Sequence, residues 1–141
     1  MTTLSGTCLC GSVCVRIAKP DDSIELCQCA MCRRWGGGYF AGIGGNDAEV
    51  DGRANVTAYR SSDWAERSFC RKCGSNLWFT FLPTGHRSFC AGLFDDLQEI
   101  VVAKEIFCDS ATTWSVTKGD HRRQTGAEII AEAEAAGFTF D

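Results

Sequence analysis

"CQCAMCRRWGGG", residues 27–38, sets three cysteines in a C-x-C-x2-C spacing and follows them with two arginines, a tryptophan and three glycines. Thiols this dense belong to a disulfide framework, a metal knot or a reactive site. The chain around them holds ten cysteines in 141 residues. A chain of that length buries a core without needing cross-links to fold. Its first residues, MTTLSGTCLC, show neither the basic start nor the apolar run of a secretory leader, and nowhere do about 18 apolar residues follow one another. A cytoplasmic protein with reduced thiols is therefore expected, and metal is the favoured use for them. A net charge of −4 and an isoelectric point near 5.1 argue against the broad basic face that captures nucleic acid through its phosphates. No membrane partner is expected either.

Outward from the cysteine stretch, residues 12–116 read as short β-rich runs broken by turns. "SVCVRI" (12–17) alternates Val13, Val15 and Ile17 against Cys14 and Arg16, the period of a half-buried strand. "YFAGIGG", "NVTAYRS", "ERSFC", "NLWFTF", "RSFCAGLF", "IVVAKEIFC" and "TTWSV" are further strand candidates, separated by "KPDD", "GGND", "DGRAN", "LPTGH" and "FDD", which carry turn chemistry. The fold class expected is mainly β, in one domain over residues 1–141. The tail differs. Thr125 and Glu128 make a capping-box signature ahead of "AEIIAEAEAAG", so a short C-terminal helix is predicted over about residues 127–136, with Gly137 as its stop.

The cysteines sort into two sets. "CLCG" (Cys8, Cys10) and "CRKCG" (Cys70, Cys73) are two short knuckles far apart in sequence, each ending in a glycine that frees backbone amides to turn towards sulfur. Two such pairs close a tetrahedron of four thiolates, the donor set a structural zinc prefers. Cys27, Cys29 and Cys32 make three ligands with no obvious fourth. Three ligands leave a place for water or substrate, as in a catalytic zinc site. Alternatively Cys14, Cys90, Cys108, His86 or His121 closes the set into a second structural site, and spacing alone leaves both readings open. Cys14, Cys90 and Cys108 lie in strand-like runs where small buried thiols pack. Trp78 and Phe79 read as core aromatics.

"CLCGSVCV", "CQCAMCRRWGG", "FCRKCGSNLWF" and "AGLFDD", in this order across about residues 5–116, resemble the glutathione-dependent formaldehyde-activating enzyme family, Gfa, which also includes centromere protein V. The resemblance implies a folded β-tent of short antiparallel sheets organised around two zinc ions. It implies a structural site at Cys8, Cys10, Cys70 and Cys73 and a catalytic or substrate-sensitive site at Cys27, Cys29 and Cys32. Two departures stand out: Gln28 occupies a position where the family often has histidine, and "VTKGDHRRQTG" (116–126) lacks the proline-rich ending common in the family.

The activity this implies is that of a zinc-dependent carbon–sulfur lyase or glutathione-adduct enzyme, acting on a small thiol conjugate such as S-hydroxymethylglutathione. Zinc held by three thiolates has a formal charge of −1, which suits it to bind and release a soft sulfur rather than to generate aggressive hydroxide. Glutathione would be the co-substrate. Its carboxylates call for cations, for which Arg33, Arg34, Arg71 and the cluster His121, Arg122 and Arg123 are candidates. Trp35 and the glycines beside it are candidates for a pocket wall, and Arg33, Arg34 and Trp35 make up the expected binding set. The alternative is a non-catalytic zinc module that binds a protein partner.

Overall fold

A computed structural model describes residues 2–97 and 99–140. The strands and helices run, in chain order, β1 (Leu4–Thr7), β2 (Cys14–Pro20), β3 (Ser23–Cys27), α1 (Ala30–Gly36), β4 (Phe40–Ile43), β5 (Gly45–Asp51), β6 (Val56–Ser62), β7 (Ala65–Cys70), β8 (Asn76–Phe81), β9 (His86–Cys90), β10 (Val101–Ile106), β11 (Arg122–Gln124) and α2 (Gly126–Ala135). The protein is mainly β, with a short C-terminal helix. It divides into two compact units, one of residues 1–22 and 42–100, the other of residues 23–41 and 101–141.

The first unit is antiparallel. β1 pairs with β2 and β2 with β5, and the alternation read in "SVCVRI" turns Val15 and Ile17 inwards, in register with Val50 and Leu4. The neighbouring strands run β9, β8, β7, β6, with the end of β4 paired to β9 through Gly42 and Ile43. One contiguous apolar core holds this unit, built from Leu4, Val13, Val15, Ile17, Ile43, Leu77, Trp78, Phe89 and Phe94 among others. Gly6 is fixed by close approach: a Cβ there would lie 2.4 Å from the Leu93 carbonyl oxygen. Trp78 is buried and meets Phe89 at 5.6 Å between ring centroids, the core role expected of it.

The second unit is organised differently. β3, β10 and β11 are parallel, with β10 in the centre. Its buried groups are largely polar: Gln28, Glu105, Ser115 and Gln124 accompany Leu26 and Cys32. The stretch "TTWSV" is not a strand; Thr113–Ser115 forms a 3-10 turn closed by the Ser115 amide on the Thr112 carbonyl. Ser115 spends its side chain and carbonyl on Gln28 instead of a ladder. β1, β3, β5 and β11 lie outside the strand candidates, and β5 begins inside "GGND", where turn-forming residues mask the alternation of Ala48 and Val50. α2 starts one residue before its expected position, and Thr125 and Glu128 form both halves of the capping box. Thr125→Ala is expected to lower stability by about 1 kcal/mol. A urea denaturation midpoint equal to that of the parent would contradict this role for the cap.

Candidate metal centres

Both knuckles of the four-cysteine set lie in the first unit. Cys8 follows β1 and turns back on itself, its carbonyl accepting from the Gly11 amide at 3.1 Å. Cys70 ends β7, and its carbonyl accepts from the Gly74 amide at 2.8 Å. Gly11 and Gly74 both adopt φ of 80°, a left-handed conformation that glycine reaches without strain. The Cys8 and Cys10 sulfurs are 3.7 Å apart, and those of Cys10 and Cys70 are 3.9 Å apart. A tetrahedron with zinc–sulfur bonds of about 2.3 Å has edges of about 3.8 Å. All four sulfurs lie within 4.8 Å of one another. No disulfide joins any of the ten cysteines, and four sulfurs at this spacing are placed so that they could hold one metal ion.

Each knuckle continues into a serine, Ser12 or Ser75, whose hydroxyl lies 3.2 Å from the second sulfur of its pair, Cys10 or Cys73. The Ser75 hydroxyl is the largest cause that brings the Cys73 thiol down to about 5, and Ser12 lowers Cys10 in the same way. Ser75 also accepts from the Leu9 amide at 2.9 Å, tying one knuckle to the other across 66 residues. The shared Cys-Gly-Ser ending of "CLCGS" and "CRKCGS" was the sequence signal for these serines.

Cys27, Cys29 and Cys32 also converge, in the second unit, with their sulfurs within 4.8 Å of one another. Cys27 is the last residue of β3, and Cys29 caps α1, its sulfur accepting from the Cys32 amide at 3.4 Å. The helical step from 29 to 32 sets those two side chains one above the other. α1 ends at Gly37, which is left-handed and donates to the Arg33 carbonyl at 2.7 Å, so the glycine run terminates the helix. The Cys27 thiol is pushed far up by contact with the Cys29 and Cys32 side chains and by burial. Three sulfurs so crowded ionise together only around a cation, so the donor set fits a thiophilic metal. Among the described residues no fourth His, Cys, Asp or Glu joins the group; Cys14, Cys90, Cys108, His86 and His121 are all outside it.

Arg33 is half-buried and Arg34 exposed on α1, next to Cys32 in sequence. Trp35 stacks on Phe40 at 5.6 Å, which commits one face of its ring to packing. Within the cluster proposed as a carboxylate clamp, His121 and Arg123 are engaged internally. The His121 Nε2–H donates to Glu105 at 2.8 Å, while Arg123 donates to the carbonyls of Gly119 and Thr117. Arg122 approaches Glu132 at 3.9 Å.

Glu105 is the group that sequence reading missed. It is 2% exposed on the central parallel strand. Burial works against its charge, but hydrogen bonds from Thr117, His121 and Gln28, with Arg123 nearby, outweigh burial and hold the carboxyl below the usual carboxylate range. No local pattern marks it.

Residues 3–110 match the profile of a family described as glutathione-dependent formaldehyde-activating enzyme. A Schizosaccharomyces pombe protein named as an uncharacterized lyase is 29% identical over 111 residues, which cover 77% of this chain and 81% of that one. A Halomonas elongata protein that carries the name of a glutathione-dependent formaldehyde-activating enzyme is 35% identical over 86 residues, 53% of this chain and 54% of its own. The crystal structure of a Rhodobacter sphaeroides protein superposes with a TM-score of 0.56 at 26% identity, covering 70% of this chain and 99% of that one.

Proposed function

Because the chain belongs to the glutathione-dependent formaldehyde-activating enzyme family, we propose that it is a zinc-dependent carbon–sulfur lyase or glutathione-adduct enzyme acting on small thiol conjugates such as S-hydroxymethylglutathione. The observation that carries this reading is the gathering of Cys27, Cys29 and Cys32 without a fourth side-chain ligand among the described residues. Cys8, Cys10, Cys70 and Cys73 hold a structural zinc in the same reading. The reaction adds a thiol across an aldehyde carbonyl: the carbon–sulfur bond forms, and the thiol proton ends on the former carbonyl oxygen. The reverse reaction breaks the same bond. Zinc in a three-thiolate frame supplies one place for a soft sulfur and favours its thiolate form.

The chain's own part is to hold that frame and receive the rest of the thiol. β3 and the first turn of α1 fix the three sulfurs. Arg33 and Arg34 are the cations that receive glutathione carboxylates, and Trp35, braced by Phe40, forms a wall beside them. Reduced, closely packed thiols suit a reducing cytoplasm. No helix among the described residues is long and apolar enough to cross a membrane.

The test is formation and breakdown of S-hydroxymethylglutathione by protein stripped of metal and then reloaded with zinc. Thiol-dependent turnover that returns with zinc supports the reading; a zinc-loaded protein inert towards glutathione adducts would instead favour a binding module. Graded chelation should remove one metal equivalent well before the other, because a closed four-thiolate site exchanges more slowly than an open one. Simultaneous loss of both metals would contradict separate roles.

A further inference from the structure

We propose that Gln28 is the positioning residue of the three-cysteine loop, and that the segment of residues 115–123 acts on that loop through it. The inference rests on the metal reading of Cys27, Cys29 and Cys32. Gln28 stands between two of the three sulfurs, so its backbone torsions set the direction of one relative to the other. It is 3% exposed, and its backbone N–H and both polar atoms of its side chain are engaged. Its amide N–H continues the ladder beyond β3 by donating to the Ile106 carbonyl at 3.0 Å. Its side-chain Nε2 donates to Glu105 Oε2 at 3.2 Å and to the Ser115 carbonyl at 2.9 Å. Its Oε1 accepts from the Ser115 hydroxyl at 2.8 Å. Both Nε2 partners are acceptors only, which fixes the orientation of the amide.

Behind Gln28, Glu105 is clamped in turn. Thr117 and His121 donate to its other oxygen, and the Arg123 guanidinium stands 3.7 Å from it. Ser115, Thr117, His121 and Arg123 all lie beyond residue 110, outside the stretch that matches the family. This chain's own C-terminal segment thus reaches back to the residue between two sulfurs. An apolar residue of similar size would fill the same space. What the polar arrangement adds is a single geometry, because a fully satisfied buried network tolerates few alternatives. Groups that orient ligands from behind typically govern metal affinity by 10–100-fold.

The experiment uses the full chain with zinc in the four-cysteine site and titrates cobalt into the other, reading affinity and the thiolate–cobalt absorption bands. Gln28→Leu should weaken cobalt binding by about tenfold or more and shift the bands. Ser115→Ala, which removes one of the four contacts, should give a smaller change in the same direction. A purely structural role would lower the melting temperature and leave the bands in place. Should Gln28→Leu fail to fold, Ser115→Ala decides alone. Parent affinity and parent bands in the variants overturn the proposal but leave the metal reading standing. A parent that takes no second metal overturns both.

Discussion

Cys73→Ser and Cys70→Ser are expected to give protein that is insoluble or melts at least about 10 °C below the parent. Both residues belong to the four-thiolate set, and Cys70 is fully buried where β7 ends against Val56 of β6. Zinc in such a site contributes apparent binding free energy of about 10–16 kcal/mol in small zinc domains, and that energy is folding energy. Here the apolar core of the first unit retains part of the stability, so the loss is smaller. A loss of about 3 kcal/mol corresponds to about 10 °C in a domain of this size. The knuckles are also linked by the Leu9 amide on Ser75, so weakening one loosens the other. Soluble Cys73→Ser protein that melts with the parent, followed by circular dichroism, would refute the structural assignment.

Cys29→Ser and Cys32→Ser should do the opposite: leave a folded protein with one tight zinc and abolish thiol-dependent turnover. Their sulfurs lie in the second unit, whereas the contiguous apolar core and the four-cysteine set belong wholly to the first. Neither substitution removes a member of that core. Serine puts a hard, neutral hydroxyl in place of a soft anionic donor, and two thiolates do not maintain the three-ligand frame that leaves one place for substrate sulfur. Circular dichroism, zinc content and turnover of glutathione–aldehyde adducts, measured on each variant beside the parent, check this. Variants that unfold as Cys70→Ser does, or that keep full activity, would make "CQCAMC" a second structural knot or a bystander.

The two cysteine clusters were legible in the sequence because their pattern is local: a knuckle is a few residues long, and its glycine sits beside its cysteines. The strands of the first unit were legible where one face is buried, as in "SVCVRI", and illegible in β5, whose start reads as a turn. "TTWSV" has strand composition, but its backbone serves Gln28. The bond between Gln28 and Glu105 spans 77 positions and has no local signature. Gln28 and the segment 116–126 each departed from the family pattern for no reason visible in the sequence. In the structure the two departures meet on Glu105: Gln28 donates to one carboxylate oxygen, and Thr117 and His121 to the other.

The most direct test of an open metal site beside a closed one is native mass spectrometry of the purified protein with and without glutathione. The account predicts two zinc ions per chain, with glutathione adding its mass to the two-zinc species and not to the species left with one zinc after mild chelation. A protein that binds a single zinc, or two that leave glutathione unbound, would contradict it.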